Sequence, residues 1–380
     1  MGYKDEIEVL REKINDIDET LVKLFAQRMH AVSEVADVKQ KYGEAVYDAS
    51  RESIVIQRAL AHLEDDSAHE ETRRFFHAVM DISKKRQQTF MDETHAGEDY
   101  FADKEGARVG YLGIPGSYSH IAALQATKGT AFLRNYSSFP AIFEGVKAGE
   151  IDYAMLPAEN TETGSITAVV DLLAKYGYYI VGEKMLPVEH SLLALPGTQI
   201  DEIERIYTHP EVISQCSGFL AENPHIAAYP SLSTAQAAVT VRERADKTVA
   251  CIASSQAAGI YGLAALREGI QNNKGNCTRF VVISRRPYLS PACNKTSVVL
   301  MLSHKPGSLY EMLGVFADGG VNILKLESRP LKSRPFEYLF HIDFEGSIED
   351  EQVNKTIDKV KHEAAGYTYL GCYPRDKITL

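Results

Sequence analysis

The sequence predicts a multidomain chain: an all-α helical module, an α/β module, and an α+β module on the ferredoxin-like βαββαβ plan. Three observations lead there. From Lys4 to Tyr42 there is no proline or glycine, and apolar residues recur at three- and four-residue steps. From Arg108 onward, short apolar runs end in glycine- and serine-rich turns that open helical patterns. Beyond residue 296 the order is strand, helix, strand, strand, helix, strand. A length of 380 residues suits two or three domains.

Composition narrows the function classes. The formal charge of -11 argues against nucleic-acid and anionic-membrane partners, because there is no large basic field. An anionic small molecule must then be held by local groups. Five scattered cysteines without a C-x-x-C pair read as reduced thiols, neither a disulfide framework nor a zinc site. The charged start Lys4-Asp5-Glu6 is no signal peptide, and no apolar run approaches membrane-spanning length, so a cytoplasmic protein is expected.

In the first module, residues 1–92, Ile7, Leu10, Ile14, Ile17, Leu21, Leu24, Ala31, Val35 and Val38 form the stripe of one long helix that Gly43 ends. Too long to pack on itself, it calls for partners, a second copy of the chain among them. Further helices are expected from Asp48 to about Leu63 and from Ala68 to about Thr89. Arg28 and Lys39 point the same way about 16 Å apart along the axis, a separation that two long cations can close onto one dianion. Arg11 lies about 25 Å from Arg28 and roughly 100° around the helix, within reach only of a partner chain's site. Asp48, Arg51 and Glu52 share one face, as do Ser83 and Gln87. A solvated, ion-paired face has the same pattern.

Residues 91–106 are polar, acidic and aperiodic and read as a tether. In the second module, residues 107–285, strands are expected at Arg108–Gly113, Ile151–Leu156, about Ile206 and about Tyr229, each followed by a polar turn and a helix. Such helix starts favour anions or are plain caps. Gly110, Gly113 and Gly116 are spaced G-x-x-G-x-x-G, not as the dinucleotide fingerprint G-x-G-x-x-G, which disfavours a hydride-transfer enzyme. In the run Thr278-Arg279-Phe280 a hydroxyl stands beside a guanidinium. The pair suits a substrate that carries a carboxylate and loses a hydroxyl, although the same tripeptide also writes an ordinary strand.

These segments, taken together, carry a resemblance. Leu10 to Ile14 with Arg28, Lys39, Asp48-x-x-Arg51-Glu52 and Ser83-x-x-x-Gln87 resemble the all-helical chorismate mutases. That family implies an intertwined dimer in which the position matching Arg11 serves the other chain's site. The resemblance implies that Arg11 and Arg28 bind the substrate carboxylates. It gives Lys39 and Gln87 (or the adjacent Gln88) the ether oxygen, and gives Asp48, Glu52 and Ser83 the hydroxyl and the orienting of neighbours. The pericyclic step needs no cofactor or metal, only a held conformer and stabilised charge.

Gly113-x-Pro-Gly-Ser-Tyr-Ser-His120, Pro157-x-Glu159-Asn160-Thr161-x-x-Gly164-Ser165, Thr208-His209-Pro210 with Gln215-Cys216, and Thr278-Arg279-Phe280 resemble prephenate dehydratase. That resemblance implies two α/β lobes around a cleft. Thr278 would assist the leaving hydroxyl, Arg279 bind a carboxylate, and Asn160, Gln215, Thr208 and the Ser117–Ser119 turn line the cleft. Whether Thr278 acts as proton donor or only as hydrogen-bond donor stays open. Glu211 stands where the pattern expects glutamine, and no role is given to it.

In the third module, residues 296–380, strands are expected at Ser297–Leu302, Val321–Leu326, Glu337–Phe344 and Tyr367–Cys372, with helices at Pro306–Phe316 and Glu351–Ala365. Gly307-Ser308-Leu309 and Glu327-Ser328-Arg329-Pro330 resemble the amino-acid-sensing ACT domains of these dehydratases. The expectation is a bifunctional enzyme taking chorismate through prephenate to phenylpyruvate, inhibited by phenylalanine. A mutase–dehydrogenase of the tyrosine branch and a non-catalytic phenylalanine-binding regulator are the alternatives.

Overall fold

The structure, a computed structural model, describes residues 3–42, 49–63, 66–95, 100–101, 104–288, 290–331 and 338–376. The chain divides into two compact units, Met1–Gly97 and Glu98–Leu380.

The first unit is helical. Helix α1 is Tyr3–Tyr42, α2 is Ala49–Leu60 and α3 is His69–His95. Met29, Val32 and Ala36 of α1, Ile56 of α2 and Val79 and Met80 of α3 are buried, and α3 packs on both α1 and α2. None of the predicted α1 stripe is buried among the described residues: Leu10, Ile14, Ile17 and Leu24 are 55 to 57% exposed, and Val35 and Val38 are 46 and 56% exposed. The buried Met29, Val32 and Ala36 are not members of that stripe. Helix α3 runs on through Met91–His95, which the sequence reading assigned to the tether, because no breaker intervenes before Gly97. The expected stop at Gly43 and the start at Asp48 lie outside the described residues.

The second unit begins with an anchor, not a free tether. Phe101 is buried, and Tyr100 packs edge-on against Phe101, Tyr153 and Tyr288. The lost entropy of ordering this segment is offset by apolar burial that a polar, aperiodic sequence does not advertise. Strands β1 (Arg108–Leu112), β2 (Phe132–Tyr136), β3 (Tyr153–Asn160), β4 (Gly164–Ser165) and β5 (Tyr179–Pro187) alternate with α4 (Tyr118–Ala126), α5 (Phe139–Lys147) and α6 (Thr167–Tyr176). The chain then crosses to a second lobe of β6 (Ser191–Ala194), β7 (Arg205–Thr208), β8 (Ala227–Pro230), β9 (Val249–Ala253) and β10 (Ala264–Arg267). Its helices are α7 (Pro210–Gln215), α8 (Ser217–Glu222), α9 (Thr234–Arg244) and α10 (Ser255–Tyr261). Strand β11 (Cys277–Ser284) returns to the first lobe. The sheet orders are β2-β1-β3-β11-β5, with β4 on β3, and β10-β6-β9-β7-β8.

Strand β11 is buried along its whole length and runs antiparallel to both β3 and β5. Its hydrophobic run Phe280–Ile283 suits a strand covered on both faces. The turn after β1 closes against the second lobe: Ser254 Oγ donates to Gly116 O (3.1 Å) and Tyr261 Oη to Pro115 O (2.6 Å). Gly116 has φ +84, and a Cβ there would meet Tyr261 and Ala257, so a side chain is excluded twice over.

The remaining elements are β12 (Lys295–Met301), α11 (Ser308–Asp318), β13 (Ile323–Pro330), β14 (Tyr338–Glu345), α12 (Glu351–Glu363) and β15 (Gly366–Tyr373). They form a four-stranded sheet in the order β13-β14-β12-β15, with each neighbouring pair antiparallel, the ferredoxin-like arrangement. One face carries a core of Val298, Leu300, Met312, Phe316, Ile342 and Ile357 under the helices. The other face packs on the first lobe, where Val299, Leu370 and Tyr373 join Ile180, Val281 and Ile283 in one core. Contact is closest at Gly371 (φ +138), where a Cβ would lie 2.0 Å from Ile180 O.

Strand β13 is longer than the sequence suggests. Pairing with β14 carries it through Pro330, so Glu327, Ser328 and Arg329 are strand residues rather than a segment after a strand. Helix α11 starts at Ser308 after Gly307 (φ +86), two residues later than the expected start at Pro306.

Two candidate active sites

In the first unit, α1 and α3 bring Arg28 and Ser83 together: Arg28 Nη1 donates to Ser83 Oγ, which donates to Val79 O (2.5 Å). One turn on, Gln87 Oε1 is buried with no hydrogen-bond partner among the described residues. An orphaned buried acceptor beside a half-buried guanidinium is costly unless a ligand or water completes it. Burial lowers the Arg28 pKa from its usual value, which leaves it the less hydrated and the stronger partner for an anion. Lys39 is half-buried on α1. Arg11 is not brought to this site. Its side chain is 69% exposed and pairs with Glu8 at 3.5 Å. Asp48 and the side chains of Arg51, Glu52 and Gln88 lie outside the described residues.

In the second unit, Asn160 ends β3 directly opposite Thr278 on β11. Asn160 Nδ2 donates to Thr278 Oγ1 (2.9 Å) and Asn276 Oδ1 (2.8 Å), while its Oδ1 accepts from the N–H groups of Glu162 (2.9 Å) and Thr163 (3.1 Å). The amide is thereby fixed, and so is the rotamer of Thr278. The Thr278 hydroxyl accepts this bond and has no acceptor of its own among the described residues. Gln215 ends α7, with Oε1 2.9 Å from His190 Nε2. The charge of Glu162, in the turn after Asn160, is felt by both His190 and Cys216, so that turn lies near Gln215. Ser117 caps α4 by accepting from His120 N (3.3 Å), and Ser119 is buried behind it.

Two expectations are corrected. Arg279 does not face the cleft. Successive strand residues alternate, so the side chain beside Thr278 points the opposite way, toward the ferredoxin-like sheet. There Nε donates to Glu183 Oε2 (2.7 Å), Nη1 to Asp343 Oδ2 (2.7 Å) and Nη2 to Tyr373 Oη (2.6 Å), and the side chain is 7% exposed. Each guanidinium nitrogen thus has a partner inside this layer, and the group is all but closed to solvent. Thr208 is fully buried, and its hydroxyl donates to Ile252 O (2.7 Å), which ties β7 to β9. It supports the cleft wall from behind.

The layer around Arg279 was not legible in advance. Lys295 Nζ bonds Glu183 Oε2 (2.9 Å), and Ser297 Oγ bonds Asp343 Oδ1 (2.6 Å). Burial alone would raise the Glu183 carboxyl, but the charges of Arg279 and Lys295 outweigh it and hold the pKa below its ordinary value. Farther along, Lys325 Nζ reaches Glu159 Oε2 (2.9 Å) and Ser165 Oγ (2.6 Å), and Arg329 Nη2 reaches Asp171 Oδ2 (2.9 Å). Strand alternation puts Lys325, Glu327 and Arg329 on this face, while Ser328 points outward to solvent. The ferredoxin-like sheet thus grips β11 one residue from Thr278 and β3 one residue from Asn160.

All five cysteines are unpaired and buried, and no group of three or more His, Cys, Asp or Glu among the described residues could hold a metal ion. No helix among the described residues is long and apolar enough to cross a membrane.

Comparison with known proteins finds relatives of both units. A model of the type II chorismate mutases matches residues 10–88, and a prephenate dehydratase model matches residues 109–288. The bifunctional chorismate mutase/prephenate dehydratase of Escherichia coli K12 is 33% identical over 389 residues, covering 100% of this chain and 98% of that protein. Arogenate dehydratase/prephenate dehydratase 1 of Arabidopsis thaliana is 38% identical over 73% of this chain and 74% of its own length. Among solved structures, prephenate dehydratase from Arthrobacter aurescens in complex with L-Phe is similar with a TM-score of 0.64 and 32% identity, covering 71% of this chain and 90% of that one. A quorum-quenching acylase, GqqA, is similar at 0.67 and 32%, covering 72% of this chain and 100% of that one. The chain belongs to the bifunctional chorismate mutase/prephenate dehydratases, turning chorismate into prephenate in its helical unit and prephenate into phenylpyruvate in its two-lobed one.

Proposed function

We propose how the residues divide this work. In the helical unit Arg28 binds one carboxylate of chorismate while Lys39 and Gln87 meet the ether oxygen, where negative charge grows as the bond breaks. By the resemblance, Asp48, Glu52 and Ser83 would hold the substrate hydroxyl and orient their neighbours. A second copy of the chain covers the exposed stripe of α1 and lends its Arg11 to the other carboxylate. The support for this homodimer is the run of large apolar residues on α1 left uncovered within one unit.

In the cleft, the bond from the ring to the departing carboxylate breaks, its electrons aromatise the ring, and hydroxide leaves from the opposite carbon. Thr278 donates a hydrogen bond to that oxygen. The observation that carries this reading is the bond from Asn160 Nδ2 to Thr278 Oγ1 (2.9 Å), which occupies a lone pair and leaves the O–H for the substrate. The amide of Gln215 and the N-terminus of α4 hold the carboxylates, the role first expected of Arg279.

The ferredoxin-like sheet is read as an ACT domain that binds phenylalanine near Gly307, Ser308 and Leu309, with the strand Glu327–Arg329 carrying the response to the lobe beneath. Support comes from the relative crystallised with L-Phe and from the ion pairs of Lys325 and Arg329 to that lobe. Phenylalanine would act by favouring one of two conformers of the cleft. Buried unpaired thiols suit a cytoplasmic enzyme.

The test is Thr278→Ala in the full chain. Mutase turnover should persist while phenylpyruvate formation falls by about 10²-fold or more. Parallel loss of both activities would count against separate sites.

A further inference from the structure

Two segments of chain run between the lobes, residues 188–190 outward and 268–276 back. They are joined side by side: Val188 N–H donates to Asn276 O (2.9 Å), Ile270 N–H to His190 O (3.0 Å) and His190 N–H to Gln271 Oε1 (3.0 Å). His190 is 1% exposed, and its ring spans both lobes. Nδ1 lies 2.9 Å from Tyr118 Oη at the start of α4, and Nε2 lies 2.9 Å from Gln215 Oε1 at the end of α7. No sequence motif singled this residue out.

The orientation of the Gln215 amide sets the roles. An amide oxygen only accepts, so His190 Nε2 carries the hydrogen in this pair. Burial lowers the ring's pKa more than the Gln215 bond raises it, so the ring is neutral and Nδ1 is an acceptor. The Tyr118 hydroxyl donates to Glu189 O (2.6 Å) and lies 2.9 Å from Nδ1, which in this tautomer it serves only by sharing the same hydrogen. Gln215 Oε1 is therefore occupied, whereas its amino group has no partner among the described residues. Gln215 is only partly buried, so that amino group is open to a ligand. With the opposite tautomer the amide would turn over and offer its oxygen, which would repel an anion.

We propose that His190 is a positioning residue of the dehydratase: its Nε2–H holds Gln215 so that the amide NH2 is presented to a carboxylate of the bound dianion. This rests on the reading of the cleft given above. His190 touches no substrate itself. It acts through Gln215.

The test compares His190→Gln with His190→Asn in the full chain, with the denaturant midpoint of the second unit, which holds His190, as the measure of folding. A glutamine amide reaches about as far as Nε2 and keeps the donor, while an asparagine amide stops near Nδ1 and loses it. Losing the held NH2 should raise KM for prephenate about tenfold or more in His190→Asn, the scale of one hydrogen bond to a charged group, with a smaller change in kcat. His190→Gln should recover most of that, and His190→Asn should add little to Gln215→Ala. Equal impairment of both variants, or full additivity with Gln215→Ala, would assign His190 to the fold alone. A nitrogen-15 spectrum of the unsubstituted protein gives a second reading: the proton should sit on Nε2, and a proton on Nδ1 overturns the proposal. Lack of phenylpyruvate from the unsubstituted chain would instead reject the dehydratase cleft, and the proposal with it.

Discussion

Arg279 Nη1 on β11 lies 2.7 Å from Asp343 Oδ2 on β14, joining the strand that carries Thr278 to the ferredoxin-like sheet. Both side chains are nearly inaccessible, at 7% and 1% exposure. Removing one partner of such a pair leaves a buried charge unmatched. Asp343→Asn should therefore destabilise the second unit by about 3–5 kcal/mol, read as a lower midpoint of its denaturant transition. A change below about 1 kcal/mol would mean that the layer relaxes freely or is hydrated.

The same layer sets an acid limit. Glu183 and Asp343 are held below the ordinary carboxylate range: burial opposes this, and Arg279 with Lys295 (and His341 for Asp343) overcomes it. A carboxylate depressed on folding contributes stability that is fully present above its unfolded pKa of about 4 and lost as pH falls through the folded value. The second unit should keep these contributions from neutral pH down to about 5, then lose stability steadily with acid. Denaturant midpoints of Glu183→Gln that keep the full acid dependence would contradict this.

Thr278 is asked for a hydrogen bond rather than a full proton. Thr278→Ser keeps the hydroxyl and the bond from Asn160, so it should retain far more dehydratase activity than Thr278→Ala. Asn160→Ala, which frees the rotamer, should lower kcat by about tenfold, the scale of one lost orienting bond. Steady-state rates on prephenate check both. Equal loss in Thr278→Ser and Thr278→Ala would remove the hydroxyl from the mechanism.

Arg11 is far from Arg28 on one helix and is exposed within one unit. An Arg11→Ala chain mixed with a Lys39→Ala chain should regain part of the mutase activity, because one of the two sites in a hybrid dimer is intact. Demonstrated heterodimers without any recovery would reject the shared site.

The regulatory reading separates two kinds of substitution. Ser308 stands at the start of α11, while Lys325 and Arg329 bind the lobe below through Glu159 and Asp171. Changes at Ser308 should weaken phenylalanine binding itself. Lys325→Met should leave binding nearly intact and weaken inhibition of the dehydratase. Calorimetry beside inhibition curves distinguishes them; proportional loss of both quantities in Lys325→Met would deny that residue a transmitting role.

Periodic features were legible in the sequence. The proline-free run to Tyr42 gave α1, and the strand–turn–helix grammar gave β1, β3 and β7, although β3 runs on to Asn160 through residues read as a turn. The strands β6 and β9 were missed because their short, mostly apolar runs carry no period to distinguish strand from buried helix. The neighbours Thr278 and Arg279 read as one site because adjacency in sequence hides alternation across a strand. Arg279, Glu183, Asp343 and Tyr373 come from four different strands, and only tertiary packing unites them. His190 was invisible for a similar reason: its partners are 72 and 25 residues away.

The most direct measurement gives the purified full-length protein chorismate as its sole substrate and follows phenylpyruvate. The account predicts that phenylpyruvate forms, with prephenate as a passing intermediate, and that Thr278→Ala stops the sequence at prephenate. Untouched chorismate, or prephenate that accumulates in the unsubstituted protein without going further, would contradict it.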